Sequence, residues 1–214
     1  MEKAKVMDED TQATVKKFCE RVVWLRVIHR IYEELFADVD FEKMMEKTAP
    51  SFFQDLNDVV VDYLLLQFAK ITDPAATGCK ENLTVDYLVN TIQWTEAWKK
   101  QLIPLRDRAM KLRPYLKDGR NRILAHSDLK TAITGEKLGA FPEGKDKEFL
   151  DALEDLCNLA WKGCFSSVFG KISVGTAGDV LDFKKVLRKA LAFDKALTEH
   201  GSDEKAKLLE YLSE

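Results

Sequence analysis

Apolar residues recur along this chain at helical intervals, and that period limits what it can fold into more than any other feature. Trp94, Trp98, Leu102, Leu105, Ala109 and Leu112 follow one another at steps of four, four, three, four and three. Such a run gathers the side chains on one stripe of an α-helix and would scatter them over both faces of a strand. Phe18, Val22, Leu25, Tyr32 and Phe36 form a second stripe. Leu150, Leu153, Cys157, Trp161, Cys164 and Val168 form a third. There is no convincing hairpin signal. The expected fold class is all-α: one domain over residues 1–214 built on a helical bundle, with 200–214 as a loosely held C-terminal extension.

Residues that start and stop helices place the elements. A first helix is predicted over 11–37, interrupted by Asp38-Val39-Asp40, with a short helix over 41–47 after it. Pro50 then sits just inside the start of a helix over about 51–71. That helix is apolar nearly all round and is expected to be the most buried element. Thr72-Asp73-Pro74 ends it, and Thr84 reads as the N-cap of a helix that carries the Trp94 stripe, kinked at Pro104. Pro114 disfavours helical geometry at Arg113, which predicts a break there and a new helix with Asp118 and Gly119 near its first turn. Gly135, Gly139, Pro142 and Gly144 mark the longest loop, and a last long helix is predicted over 180–197.

Composition removes several function classes. With 214 residues, 46% hydrophobic and 32% charged, the chain has the profile of a globular protein and can bury roughly 70% of its unfolded surface. The opening Met-Glu-Lys-Ala-Lys leads into polar helical sequence, without a signal-peptide core. Val59 to Ala69, the most apolar stretch, contains Asp62 and Gln67 and is too short to cross a bilayer. A cytoplasmic protein without a membrane partner is expected. Cys19, Cys79, Cys157 and Cys164 form no C-x-x-C pair, and His29, His126 and His200 give no ligand spacing with them. No metal site and no cofactor are expected, and Cys157 and Cys164 read as buried free thiols. His29 reads as a rim or core histidine. P-loop, dinucleotide fingerprint and nucleophile elbow are all missing.

The net charge of −3 does not point to nucleic acid, but its distribution does. Residues 99, 100, 106, 108, 111, 113, 117, 120 and 122 are basic, and only 107 and 118 between them are acidic. Such a run is an ordinary solvated helix face in many proteins. This one leads straight into Arg120-Asn121-Arg122-Ile123-Leu124-Ala125-His126. There an imidazole able to move a proton near neutral pH follows a guanidinium able to grip a phosphate. An Arg-Asn pair at this distance before a histidine is expected by chance only about 0.01 times in such a chain. Lys99, Lys111 and Lys117 are the candidate RNA-approach residues.

Here the sequence resembles the HEPN superfamily, whose signature is an arginine, a polar neighbour and a histidine. Phe68-Ala69-Lys70-Ile71-Thr72-Asp73-Pro74, Lys80-Glu81-Asn82-Leu83-Thr84 and Leu124-Ala125-His126-Ser127-Asp128 extend the similarity to its abortive-infection protein U branch. The resemblance implies a four-helix core with additional helices, frequent homodimers, metal-independent endoribonuclease activity, and a setting in phage defence or beside an antitoxin protein. Carried onto this chain, it makes Arg120, Asn121 and His126 the catalytic candidates. Asp73, Lys80, Glu81, Asn82 and Asp128 are polar loop residues that it implies lie near the site. Turn and cap roles explain them equally well.

Helix geometry raises one difficulty. Six steps of about 100° carry Arg120 about 120° around a helix from His126, whereas Arg122 shares the histidine's face. Either the segment begins as loop or a second subunit completes the site, and Arg122 stands as the alternative arginine. Asn121 and His126 bonded within or between subunits, with Arg120 in a salt bridge, would instead make a non-catalytic nucleotide-, RNA- or partner-binding module.

Overall fold

Helical periodicity is answered by helix. A computed structural model describes residues 7–119, 142–170 and 178–199, and of 117–119 the backbone alone. The α-helices among the described residues are α1 (Glu9–Phe36), α2 (Val39–Thr48), α3 (Pro50–Ile71), α4 (Glu96–Met110), α5 (Arg113–Gly119), α6 (Lys145–Phe165) and α7 (Val180–Glu199). Pro50 opens α3, where its missing N–H costs nothing. Asp38, which reads in sequence as part of an interruption, caps α2. Its Oδ1 accepts from the amides of Asp40 and Phe41 at 3.1 and 3.2 Å. Thr84 accepts from the Tyr87 amide at 3.2 Å, as expected of a cap.

Several expectations need correction. A small antiparallel hairpin pairs β1 (Ala76–Thr77) with β2 (Lys80–Glu81). Gly78, at φ +60°, takes the first of the two loop positions, as a type II′ turn requires. Two-residue strands leave too little alternation to be seen in sequence. The helix predicted from Val85 is a short π-helical turn over Tyr87–Thr91, after which Ile92 turns extended at ψ 137° and α4 starts only at Glu96. Trp94 reaches the core from this extended segment: its Nε1 donates to the Leu88 carbonyl at 2.7 Å. Its ring lies so close to Gly163 that a Cβ there would meet Cζ3 at 2.8 Å. Pro104 is inside α4. The break expected at Arg113 falls earlier, at Lys111 and Leu112, so Pro114 occupies the first turn of α5. Asp118 and Gly119 are consequently the last residues of α5 rather than the first turn of a new helix. Val168 lies beyond α6 and is 82% exposed.

The described residues fall into two compact units. Unit 1 takes residues 7–29, 59–119 and 142–170; unit 2 takes 30–58 and 178–199. Among the described elements of unit 1 the most buried is α6, not α3. Phe149, Leu150, Leu153, Leu156 and Cys157 are all within 2% of full burial. The reason is position. Helix α4 packs along α6, Phe68 of α3 meets Phe149 edge-on at 5.1 Å, and Cys19 of α1 lies 4.0 Å from the Cys157 carbonyl. Helix α3 buries one stripe and leaves Phe52 and Val59 more than 60% exposed. Cys19, Cys157 and Cys164 are buried free thiols and Cys79 is exposed. Burial pushes the Cys164 thiol up to about 11 and the Cys157 thiol well above its ordinary value.

The core of unit 2 gathers Leu35, Phe41, Met45, Phe53 and Leu187. Lys184 of α7 is 4% exposed beside it. Its ammonium donates to the Glu34 carbonyl at 2.9 Å, to Glu34 Oε2 at 3.1 Å and to Asp38 Oδ2 at 2.7 Å. It also sits 5.2 Å from the Phe41 ring centre. Burial works against the charge on Lys184, but the bonds to Asp38 and Glu34 outweigh it and raise its pKa. The Lys184 bond to Asp38, with the Phe41 amide, lowers the pKa of Asp38.

A depressed Asp38 stabilises the fold above its ordinary pKa of 3.8, and that contribution is lost as pH falls through its folded value. A raised Lys184 stabilises below its ordinary 10.5, and that contribution is lost as pH rises through its folded value. Lys184→Met is therefore expected to lower the urea midpoint at pH 7, with the gap to the parent narrowing below about pH 3.8. Midpoints that differ as much in strong acid as at neutrality would show that the lysine acts by packing rather than by charge.

Candidate functional site

The chain enters the Arg120–His126 segment from α5, which two buried leucines pin. Leu112, in the turn before α5, is 2% exposed and Leu116, within it, 3%. Arg120, Asn121, Arg122, His126 and Asp128 lie outside the described residues, as does the Lys117 side chain. The described residues show the basic approach and the polar loop that the sequence couples to this segment.

Charge along the approach is less free than the sequence implies. Arg106 Nε lies 2.7 Å from Asp86 Oδ1, and its Nη1 lies 2.7 Å from Asp107 Oδ1. The Asp86 bond is the main reason its pKa is raised. Arg108 pairs with Asp155 of α6. These two arginines tie α4 to its neighbours. Lys99, Lys100, Lys111 and Arg113 make no ion pair among the described residues. Lys99 is half-buried, whereas Lys100 and Lys111 are exposed. Twelve helical steps set Lys99 and Lys111 about 120° apart, while eleven bring Lys100 within about 20° of Lys111. The exposed pair is thus Lys100 with Lys111. Spacing could have found it, because eleven residues close almost three whole turns.

Asp73 and the hairpin after it are built around two braces. Asn82 donates from Nδ2 to the Pro74 carbonyl at 3.0 Å and to Thr77 Oγ1 at 2.9 Å, and from its amide to the Ala75 carbonyl at 2.8 Å. Its donors are thereby used inside the turn, in keeping with a turn role for Asn82. Lys80 and Glu81 are exposed on β2. Arg21 of α1 is the second brace, and nothing in the sequence singled it out. Nη1 donates to the Leu83 carbonyl at 3.0 Å and Nη2 to Gln67 Oε1 at 3.3 Å. Burial lowers its pKa, and the phenol of Tyr63 and the carboxylate of Asp73 act against that shift. Asp73 therefore stands in the field of a half-buried guanidinium. No local sequence signal marks Arg21, because its partners are distant in sequence, the Leu83 carbonyl by 62 residues.

His29 belongs to the scaffold. It is 4% exposed, with Nε2 2.6 Å from Asp146 Oδ2 in the first turn of α6. Burial raises the Asp146 pKa, but the His29 bond and nearby backbone amides lower it further, for a net fall. Arg26 on the same helix pairs with Asp151 and, at 3.1 Å, with Glu154. Among the described residues no group of three or more His, Cys, Asp or Glu is placed to hold a metal ion. No helix among them is long and apolar enough to cross a membrane.

A family model described as AbiU2 (HEPN_AbiU2) matches residues 8–183. Neither a curated protein nor a solved structure gives a significant match. The matched span runs from the start of α1 into α7 and includes the Arg120–His126 segment, extending well beyond the Phe68–Asp128 motifs that carry the resemblance in the sequence. An all-α fold, an intact arginine–polar–histidine signature and a match over most of the sequence agree: the chain belongs to the AbiU2 family of HEPN proteins.

Proposed function

We propose that the protein is a metal-independent endoribonuclease acting in phage defence or as the toxin of a toxin–antitoxin pair. One observation carries this reading: Arg120, Asn121 and His126 lie inside the span matched by the family model. In the proposed reaction His126 takes the proton of a ribose 2′-OH. That oxygen bonds to the adjacent phosphorus, the bond from phosphorus to O5′ breaks, and a second protonated imidazole supplies the proton that O5′ needs. Arg120, or Arg122 if the segment is regular helix, stabilises the negative charge that builds on the phosphoryl oxygens. Asn121 orients the histidine or the phosphate. The products are a 2′,3′-cyclic phosphate and a 5′-hydroxyl, and DNA, lacking the 2′-OH, is not cut. Incubation of RNA with the purified protein in EDTA, followed by end-group analysis, tests this directly. Binding without any cleavage would leave a nucleotide-, RNA- or partner-binding module.

A homodimer is part of the proposal, because a second copy supplies the second imidazole and removes the geometric mismatch between Arg120 and His126. Light scattering at micromolar concentration is expected to give about twice the chain mass of 24.5 kDa. A monomer that cleaves RNA would rule out the composite site.

RNA is expected to approach over Lys111 and Lys117 together with Lys100, and Lys99 should matter less. Affinity falls with rising salt as counterions are released, and each phosphate contact removed lowers the salt slope by about one. Reversing the charge at Lys100 and Lys111 should weaken binding to all RNA sequences alike. An unchanged affinity would put the RNA on another surface.

A further inference from the structure

Unit 2 carries a cleft of about 440 Å³ whose chemistry differs from that of the basic approach. Met45 and Phe53, 4% and 7% exposed, form its floor. Tyr32 and Phe36, with ring centres 5.8 Å apart, form one wall. Glu42 and Glu46 stand on its rim, and Pro50 and two side-chain amides complete the lining, which contains no basic residue.

The two glutamates are one turn apart on α2, the spacing at which like charges repel. Neither makes an ion pair among the described residues. An anion such as a nucleotide would meet two carboxylates and no cation. A cation with an apolar body would find carboxylates at the rim and aromatic faces within.

Apolar surface also continues past the cleft. Phe52, 61% exposed, stands edge-on to Phe53 at 5.2 Å. Val39, 63% exposed, shares an arc of about 60° on α2 with Glu42 and Glu46. That extent is more than a small amine would cover.

We propose that this face of unit 2 docks a basic amphipathic peptide segment of another protein. An apolar side chain of the segment enters between Tyr32, Phe36 and Phe53, and its Lys or Arg side chains pair with Glu42 and Glu46. Dispersion and desolvation in the cleft supply affinity, and the paired charges set which segments are accepted. The inference does not depend on RNA cleavage.

The test uses the full chain and a fluorescein-labelled helical peptide of Lys, Leu and Phe, with a second peptide in which every Lys is Glu. Anisotropy is expected to show saturable binding of the basic peptide only. Glu42→Gln with Glu46→Gln should weaken it about tenfold. Glu9→Gln with Glu96→Gln, which removes the same charge elsewhere, should leave it unchanged. Phe52→Ser, at an exposed position, should also weaken it. Equal binding of the acidic peptide, or equal losses from the two double variants, would overturn the proposal. Displacement of the peptide by phenethylammonium at matching concentration would assign the cleft to a small organic cation instead. If Glu42→Lys with Glu46→Lys turned a dimer into a monomer, the occupant would be a second copy of this chain, and the proposal would again fail.

Discussion

His126→Ala is expected to slow RNA cleavage by about 10²–10⁴-fold, the usual worth of a positioned proton-transfer group, without loss of folding. The parent should cut in EDTA and leave 2′,3′-cyclic phosphate ends. Its rate should vary with pH as the titration of an imidazole in the neutral range would dictate. Arg120→Ala should be comparably damaging if the segment begins as loop or is completed by a second subunit. Arg122→Ala should be the more damaging if it is regular helix, because only Arg122 then shares the face of His126. The ratio of the two arginine effects therefore measures local geometry as well as chemistry. Cleavage abolished by EDTA would sink the metal-free mechanism. A folded His126→Ala protein as fast as the parent would assign the cutting to a contaminant.

Phe149→Ala is expected to be the most disruptive single change in unit 1, at about 3–5 kcal/mol. The ring is 2% exposed and lies edge-on to Phe68 at 5.1 Å, where α6 meets α3. Its removal loses buried apolar area and a ring–ring contact, and leaves a cavity between two helices that cannot close fully. For a chain of this size the midpoint of thermal unfolding should fall by on the order of 10 °C. Phe52→Ala, at a ring 61% exposed, should change stability by no more than about 0.5 kcal/mol. Equal effects at the two positions would mean that α3 and α6 are not packed as described. The same unfolding measurement also serves as the folding control for His126→Ala.

The helices were legible because a helix is specified by residues three and four apart. The stripes through Phe18 and Leu25, Leu102 and Ala109, and Leu150 and Cys157 all turn inward. The caps at Asp38 and Thr84 are equally local, each bonding an amide three residues on. The family signature was legible for a related reason, since its three functional groups lie within one short segment. The hairpin at Ala76–Glu81 was not, because two residues per strand carry no period.

Burial of α3 falls short of what its composition predicts because apolar content states what a helix can bury, not what surrounds it. Helix α6 has α1, α3 and α4 against it, while α3 keeps Phe52 and Val59 outside. Charge in the basic run is partly used within the fold for the same reason: Arg106 and Arg108 find Asp86 and Asp155, which lie 20 and 47 residues away.

The sequence by itself determined the helical class, most element boundaries to within a few residues, the family and the candidate catalytic set, all of which depend on short-range order. Only the tertiary structure decided that Arg21 braces the Leu83 carbonyl, that Lys184 holds Glu34 and Asp38, and that Glu42 and Glu46 border an aromatic cleft. Those groups are brought together by burying apolar stripes against one another. Which stripes meet is a property of the packed chain that no local spacing records.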